Sequence, residues 1–220
     1  MKRVVLAWSS GKDSAWALHV LRQTEGLEVV GLLTTTNEAF DRVAMHAVRR
    51  SLLEQQAEAA GLPLRIVPLP WPCDNGEYER RMAAACAEMR AEGVGAVAFG
   101  DLFLEDVREY RLRQMAGSGL EPLFPLWGKN TAELAREMIE AGQRARVTCV
   151  DPRKLDPSFA GREFDEEFLR DLPAGVDACG ENGEFHSFVY ASPSFARPQR
   201  IAAGEVVERD GFVFADVLSA

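Results

Sequence analysis

The stretch Arg3-Val4-Val5-Leu6-Ala7-Trp8-Ser9-Ser10-Gly11-Lys12-Asp13-Ser14 decides how the rest of the chain is interpreted. Its first half is a short apolar run with β-branched residues, which predicts a buried strand. Small and polar residues follow, and the segment from Ala15 to Leu21 is rich in residues that favour a helix. The stretch therefore predicts a strand, a tight turn and a helix in direct succession.

The same alternation continues as far as Leu126. Further predicted strands are Glu28–Thr35, Leu64–Leu69, Val94–Phe99 and Leu120–Leu126, and further predicted helices are Met45–Ala60, Asp74–Glu92 and Leu104–Met115. Short strands separated by longer helices favour right-handed βαβ units and a parallel sheet with helices on both faces. We therefore expect an α/β fold with a doubly wound, Rossmann-like parallel sheet, whose ligands bind at the carboxyl ends of the strands.

The pattern changes after Trp127. The predicted elements there are a helix that starts at Asn130, strands Ala145–Val150 and Phe185–Tyr190, a short helix Phe164–Leu172, a loop Val176–Glu184, and a hairpin with Asp210-Gly211 at its turn. We place a domain boundary near Gly128. Residues 1–128 would then form a domain that contains the parallel sheet, and residues 129–220 a smaller α+β domain.

The composition is that of an ordinary globular protein. The chain has 220 residues, of which 47% are hydrophobic and 27% are charged. These values exclude a disordered, collagen-like or coiled-coil protein. Thirty-four acidic residues against 25 basic ones give a net charge of −9. We therefore expect neither nucleic acid nor an anionic membrane as a partner.

The four cysteines, Cys73, Cys86, Cys149 and Cys179, form no C-x-x-C pair. Their spacing indicates neither a zinc ribbon nor a disulfide framework, and is typical of buried thiols in a reducing compartment. No stretch approaches the roughly 18 apolar residues of a membrane span, and the first apolar run is too short for a secretion signal. We therefore expect a cytoplasmic protein.

The turn Ser9–Ser14 carries residues that suit phosphate binding. Between a strand and a helix, its backbone N–H groups and the helix N-terminus converge on one point, which attracts anions. Lys12 adds a positive charge, and Asp13 is suited to orient the loop or to hold a metal ion on a phosphate. A Walker A loop would need Gly in place of Leu6, and no G-x-G-x-x-G fingerprint is present. The plain alternative is an ordinary capped turn.

Ser9–Ser14 resembles the S-G-G-x-D-[ST] loop of the PP-loop ATP pyrophosphatases, which cleave ATP between the α and β phosphates. Ser10 stands where those loops usually have their first glycine. A narrower resemblance covers nearly the whole chain, to the short single-module branch of the diphthine–ammonia ligase family. It is carried by Met45-His46, Gln56-Ala57, Gly61-Leu62-Pro63, Gly100-Asp101, Pro125-Leu126-Trp127 and Gly180-Glu181-Asn182-Gly183-Glu184-Phe185-His186-Ser187.

The resemblance implies a fold of the adenine nucleotide alpha hydrolase type and an AMP-forming amide ligase. ATP, with Mg²⁺, would adenylate a substrate carboxylate, and ammonia would then displace AMP. In the reaction that names the family, the carboxylate belongs to a modified histidine, diphthine, of elongation factor 2. The short branch includes bacterial members, in which that modification is not made, so the acceptor stays open.

Candidate nucleotide-binding residues lie in the loop and at the ends of neighbouring predicted strands. They are Ser9, Ser10, Gly11, Lys12, Asp13, Ser14, Thr34, His46, Gly100 and Asp101. Asp13 is the candidate ligand for Mg²⁺, and Lys12 and Asp13 are candidate catalytic residues. Thr34 is equally explained as a strand former and Asp101 as a helix-capping residue. The resemblance assigns the neighbourhood of His46 to adenosine.

Candidate substrate-side residues come from the fourth predicted helix and from the loop that begins at Gly180. They are Arg108, Glu181, Asn182 and Glu184, and either Glu184 or His186 is a candidate base that takes a proton from ammonium. Arg108 and Arg111 lie one helical turn apart. Both are also explained as part of a solvated helix face with the ion pairs Glu105–Arg108 at i,i+3 and Glu109–Arg113 at i,i+4. For Arg111 we favour that interpretation.

Two other functions fit part of the pattern. Sulfur transfer to tRNA would use the same AMP chemistry, but it predicts paired cysteines and a basic face for RNA. A module that binds ATP without turning it over would need only the anion-binding loop. No glutaminase signature follows Met1, so ammonia is expected from solution or from a partner. A homodimer is compatible with this sequence.

Overall fold

A computed structural model describes residues 1–39 and 48–220, and the backbone alone of residues 42–43. The helices are α1 Lys12–Gln23, α2 Arg50–Ala60, α3 Asn75–Ala91, α4 Glu105–Met115, α5 Thr131–Glu140 and α6 Glu166–Asp171. The strands are β1 Lys2–Ala7, β2 Leu27–Asn37, β3 Arg42–Val43, β4 Leu64–Leu69, β5 Ala96–Ala98, β6 Glu121–Leu123, β7 Arg144–Val150, β8 Phe185–Ala191, β9 Ile201–Arg209 and β10 Phe212–Ser219. None of the helices in these residues is long and apolar enough to cross a membrane.

Five parallel strands form the first sheet in the order β4-β2-β1-β5-β6, and the short β3 pairs antiparallel with the end of β2. At the centre, Val4 of β1 lies opposite Val29 of β2 on one side and Ala96 of β5 on the other. The chain builds outward from β1 to β4 and then returns to β5. This is the predicted doubly wound sheet, and its direction reverses between β1 and β5, where such sheets form a crevice for ligands.

Alternate residues of β1 face two separate apolar layers, as the period of a strand requires. Val4 and Leu6 belong to a layer that includes Leu18 of α1 and Leu52 of α2. Val5 belongs to the opposite layer, which includes residues of α3 and α4. The crossover helices therefore cover both faces of the sheet, and each face holds β1 by buried apolar contact.

Some predicted elements are shorter than the sequence indicated. The predicted strand Leu120–Leu126 is confined to Glu121–Leu123 in β6, because Pro122 and Pro125 have no N–H to donate to a ladder. The helix expected from Met45 is described from Arg50 onward. Residues 45–47 of that prediction lie outside the described residues.

The second sheet is antiparallel, in the order β8-β7-β10-β9. Its hairpin turns at Asp210 and Gly211, whose φ values of 54° and 78° are both positive. This agrees with the Asp-Gly signal, since a tight two-residue turn with the twist of a hairpin needs positive φ at both positions. The boundary near Gly128 stays a prediction, and Gly128 itself donates its N–H to the carbonyl of Leu102 at 2.8 Å.

Gln56 of α2 joins the first sheet to the second. Its side chain is fully buried and makes three hydrogen bonds. Trp8 Nε1 donates to Gln56 Oε1 at 2.9 Å, while Gln56 Nε2 donates to the carbonyls of Ser10 at 3.0 Å and Val189 at 2.6 Å. Because Ser10 lies in the anion-binding loop and Val189 in β8, this amide fixes the loop relative to the second sheet.

Replacing Gln56 with leucine should destabilise the protein strongly. Gln56→Leu keeps the volume but removes the partners of Trp8 Nε1 and the Val189 carbonyl, and a buried polar group without a partner costs about 1–3 kcal/mol. We expect a loss of about 3 kcal/mol in the free energy of unfolding, measured by denaturant titration. Gln55→Leu is the matched control at a partly exposed neighbour, with an expected change of about 0.5 kcal/mol or less. Equal losses of unfolding free energy in the two variants would contradict the role of the Gln56 hydrogen bonds in joining the two sheets.

Candidate active site

Two serines of the loop between β1 and α1 make hydrogen bonds within the loop. Ser9 Oγ lies 3.1 Å from Ser14 Oγ, and Ser14 Oγ donates to the carbonyl of Gly11 at 2.9 Å. Gly11 is the N-cap of α1 and carries no side chain that could satisfy the first N–H groups of the helix. One of them, Lys12 N, donates to Ser187 Oγ. The remaining N–H groups of the first turn and the positive end of the helix dipole suit an anion.

Ser10 adopts a left-handed conformation with φ of 69°. The resemblance places a glycine here, and an L-residue in this region costs roughly 1–2 kcal/mol. The Ser10 carbonyl accepts hydrogen bonds from Val189 N at 3.0 Å and from Gln56 Nε2. The conformation persists because the second sheet and α2 hold it from outside the loop.

Gly100, at the end of β5, brings the neighbouring strand close to this loop. A Cβ atom at Gly100 would lie 3.2 Å from the backbone of Asp13 and Ser14. Only glycine allows this approach without displacement. Asp101 is thereby held beside the start of α1, at the point where the sheet reverses direction.

Lys12 is buried between the two halves of the chain, with 3% of its side chain exposed. Its Nζ donates to Asp13 Oδ2 at 2.8 Å and to the carbonyl of Cys179, and it lies 5.2 Å from the ring centroid of Phe185. Burial alone lowers the pKa of Lys12, but the neighbouring acidic groups, Asp13 foremost, together outweigh it. The net pKa is raised, so the ammonium keeps its charge.

The loop before β8 is fixed by Asp177. Asp177 Oδ1 accepts from Cys179 N at 3.0 Å and from Glu181 N at 3.1 Å, and Thr131 Oγ1 donates to Asp177 Oδ2 at 2.5 Å. Glu181 then reaches across to the first sheet, where its Oε1 accepts from Leu102 N at 2.8 Å. The loop is thus tied to both halves of the chain.

Three carboxylates meet at the inner end of the site, and the pKa of each is raised. Burial is the main cause for Asp13 and outweighs the opposing charge of Lys12. Burial likewise raises the pKa of Asp101, although Arg111 opposes it. For Glu181, burial raises the pKa to about 7, against the lowering effect of the Leu102 hydrogen bond. The site therefore holds acids that bind protons more tightly than exposed acids do.

A cleft of about 720 Å³ opens from this point toward α3 and α4, a size within the usual range for small-molecule sites. Predicted site residues that line it are Ser9, Gly11, Lys12, Asp13, Ser14, Thr34, Gly100, Asp101, Glu181 and His186. Those outside its lining are Ser10, Arg108, Asn182 and Glu184. His46 lies outside the described residues. The structure thus brings most of the predicted residues to one cleft.

Arg111 and Arg113, but not Arg108, line the cleft. Arg111 Nε lies 3.6 Å from Asp101 Oδ2, and its guanidinium lies 5.1 Å from the ring centroid of Phe99. The guanidinium of Arg108 instead lies 4.8 Å from the ring centroid of Trp127. The interpretation of Arg111 as a solvated side chain is therefore wrong. The predicted ion pairs on this helix, Arg108–Glu105 and Arg113–Glu109, are present at 3.9 and 3.5 Å.

The two candidate bases differ in their surroundings. Glu184 is 4% exposed, and its Oε1 accepts from Asp177 N at 3.1 Å and from Asn182 Nδ2 at 3.0 Å. His186 lines the cleft, and burial, with the charge of Lys12, lowers its pKa to about 4. Glu184 therefore stabilises the loop by hydrogen bonds outside the cleft, while the neutral imidazole of His186 lines the cleft.

Sequence reasoning missed two buried side chains that hold Lys12. Ser187 Oγ accepts from Lys12 N at 3.2 Å, and Gln143 Nε2 donates to the Lys12 carbonyl at 3.0 Å. Ser187 was part of the quoted motif but had no assigned role. Gln143 carries no local signal, because its partner lies more than a hundred residues away in the chain.

The donor set for a metal ion is small. Within residues 1–39 and 48–220, no group of three or more His, Cys, Asp and Glu side chains is arranged for a metal. Asp13 Oδ1 and Asp101 Oδ2 are nevertheless buried without a hydrogen-bond partner among the described residues. These oxygens fit Mg²⁺, which is usually held by one or two carboxylates together with substrate phosphates.

The fold and the site define an α/β protein with an anion-binding loop at the reversal point of a doubly wound sheet. Two family models match the chain: the diphthamide synthase N-terminal domain at residues 1–120 and the diphthamide synthase C-terminal domain at residues 130–214. The chain therefore belongs to the diphthamide synthase family. This confirms the resemblance found in the sequence.

Similar curated proteins carry the name diphthine–ammonia ligase. Those of Bos taurus and Homo sapiens are 27% identical over 238 residues, which is 98% of this chain and 88% of theirs. That of Danio rerio is 29% identical over 240 residues, with coverage of 98% and 92%. The expectation of an enzyme of the ligase class is thus confirmed at the level of the family.

A search of solved structures finds similarity to a predicted subunit of tRNA methyltransferase from Methanocaldococcus jannaschii. The sequence identity is 17%, and the TM-score is 0.37, over 63% of this chain and 76% of that one.

The raised pKa of Glu181 gives a pH-dependent stability that can be measured. An unfolded glutamate titrates near 4.5 and the folded one near 7, so ionisation opposes folding. The stability that Glu181 contributes is complete below about pH 4.5 and is lost as the pH rises through about 7. At about pH 8, Glu181→Gln should exceed the wild type in free energy of unfolding by at most about 3 kcal/mol.

Denaturant titrations of both proteins between about pH 4.5 and pH 8 check this expectation. The two curves should converge at the acidic end, because both side chains are then neutral. A constant difference at all pH values would mean that charge is not the cause. Glu137→Gln, at an exposed position of α5, is the matched control and should show no such trend.

Proposed function

We propose that this protein is an AMP-forming ligase that adenylates a carboxylate at the expense of ATP and converts it to an amide with ammonia. The observation that carries the proposal is the loop Ser9–Ser14 at the start of α1, whose N-cap Gly11 has no side chain to bind the helix N–H groups, with a buried charged Lys12 beside it. The family membership and the names of the relatives support the ligase class.

The loop residues have the chemistry to bind the phosphates of the substrate ATP. Backbone N–H groups of the loop and the N-terminus of α1 would bind phosphate oxygens, and the hydroxyl groups of Ser9 and Ser14 line the same cleft. The charge of Lys12 would stabilise the negative charge that develops as pyrophosphate departs. Thr34, at the end of β2, and His46 are the candidates for contacts with adenosine.

Mg²⁺ suits the two carboxylate oxygens at the reversal point of the sheet. Asp13 Oδ1 and Asp101 Oδ2 would bind it, since both are buried and without hydrogen-bond partners in the described part of the chain. When bound, the ion would neutralise phosphate charge. It would also relieve the mutual repulsion of the two acids, whose pKa values are raised by burial and, for Asp101, also by the charge of Asp13.

Residues 129–220 would form the substrate-side domain. The relatives' name points to diphthine as one acceptor, and the family resemblance would place that diphthine on elongation factor 2. Any acceptor would present its carboxylate near Lys12. Cys179 does not favour the alternative of sulfur transfer, because burial raises the pKa of its thiol and a neutral thiol is a weak nucleophile. The four described cysteines are also free rather than paired.

The proposal is tested by the products of ATP turnover. With Mg²⁺, ammonium and either diphthine-bearing elongation factor 2 or extract of the source cell, the wild type should release AMP and pyrophosphate. Lys12→Met should be slower by roughly 10²-fold or more, because one preorganised charge is lost from the transition state. Lys129→Met, an exposed lysine, is the matched control and should retain full activity.

Chromatography of the nucleotides gives the result directly. Release of ADP, or ATP that binds but stays intact with every acceptor, would contradict the ligase mechanism. A circular dichroism spectrum of Lys12→Met equal to that of the wild type is needed, since Lys12 also joins the two halves of the chain.

A further inference from the structure

Glu181 is the one acid of the loop before β8 that both lines the cleft and contacts the first sheet, within the part of the chain that the structure describes. Its Oε1 accepts from Leu102 N at 2.8 Å, immediately after Asp101. This bond uses one carboxylate oxygen and fixes the direction of the side chain. The carboxylate of Glu181 is thereby presented to the same space as Asp13 and Asp101.

The two bases suggested by the sequence are less suited to act on ammonium. Glu184 lies outside the lining of the cleft, and its Oε1 is occupied by Asp177 N and Asn182 Nδ2. His186 lines the cleft, but its pKa is lowered to about 4. A group that binds protons so weakly is a poor acceptor for a proton from ammonium, which holds it tightly.

We propose that Glu181 is the base that takes a proton from ammonium and so generates the ammonia that attacks the adenylated carboxylate. This assignment rests on the proposed ligase function. It makes Glu181 a catalytic residue, and it leaves Glu184 to position the loop.

The groups that face Glu181 suit this role. Lys12 and Asp13 approach it from α1, Asp101 from the end of β5, and Asp177 holds its backbone N–H within the loop. Arg111 of α4 is directed at Asp101 rather than at Glu181. Because its Oε1 is held by Leu102 N, the Glu181 carboxylate keeps a fixed direction in the wall of the cleft, where a base must lie to take a proton from bound ammonium.

The proton balance of the step is complete. Ammonium transfers one proton to the Glu181 carboxylate and becomes neutral ammonia. The nitrogen lone pair forms a bond to the carbonyl carbon, the bond from that carbon to the phosphate oxygen breaks, and AMP leaves with the bonding electrons. The nitrogen then loses a second proton to solvent, and the amide remains.

Glu181→Gln removes the negative charge but keeps the hydrogen bond to the first sheet, because a glutamine Oε1 can still accept from Leu102 N. We expect the variant to form amide from ammonium roughly 10²-fold more slowly than the wild type, in line with the usual contribution of a general base. Hydroxylamine is mostly unprotonated at neutral pH and needs no base. With hydroxylamine in place of ammonium, the variant should form hydroxamate at nearly the wild-type rate. Glu137→Gln is the control and should match the wild type with both nucleophiles.

The pH profile provides a second readout. Free ammonia needs no base, and its share of the total rises with pH. The ratio of wild-type to variant rates with ammonium should therefore fall toward one as the pH rises. A role of Glu181 in folding alone would instead give a ratio of wild-type to variant rates that does not change with pH.

The rates with the two nucleophiles, together with AMP release by the wild type, distinguish the possible outcomes. A loss with ammonium alone supports the assignment. Equal losses with ammonium and hydroxylamine, or no loss at all, overturn it while the wild type still releases AMP, so the proposed ligase function stands. If the wild type releases no AMP with any acceptor, the proposed function fails, and the role of Glu181 fails with it.

Discussion

The buried ammonium of Lys12 is the interaction on which the rest of the site depends. A charge in this position is tolerated only if it is paired and hydrogen-bonded, and its partners come from both halves of the chain. Asp13 is its neighbour on α1, whereas the carbonyl of Cys179 belongs to the loop before β8. Gln143 and Ser187 bind the backbone of the same lysine. Lys12 thus helps to hold the loop Ser9–Ser14 and the loop before β8 together.

The two halves contribute different chemistry to the cleft. The first sheet provides the N-terminus of α1 at its reversal point, which is suited to bind an anion, and also Asp101. The second half provides Glu181, His186 and the carbonyl that binds Lys12. Positive and negative groups thus meet at the inner end of the cleft. This arrangement suits a reaction that brings an anionic nucleotide and a cationic nitrogen source to the same carbon atom.

The sequence predicted local features well and distant contacts poorly. The strand, turn and helix around Gly11, the alternation that builds the first sheet, and the Asp210-Gly211 hairpin depend on neighbouring residues, so their patterns are visible in the sequence. The roles of Gln56 and Gln143 depend on partners far along the chain. The position of Arg111 depends on how α4 packs, since charges at helical spacing also describe a solvated face. Which acid of the Glu-Asn-Gly-Glu motif faces the cleft was likewise decided by the path of the loop.

The left-handed conformation of Ser10 affects when, during synthesis, the loop Ser9–Ser14 reaches its final structure. The bonds that hold it include one from Val189, which leaves the ribosome long after Ser10. A nascent first half can form its parallel sheet, since domains fold as units while synthesis continues. Its loop, however, lacks one of the two hydrogen bonds to the Ser10 carbonyl, the one from Val189. The loop Ser9–Ser14 therefore gains its full set of contacts only after β8 has been synthesised.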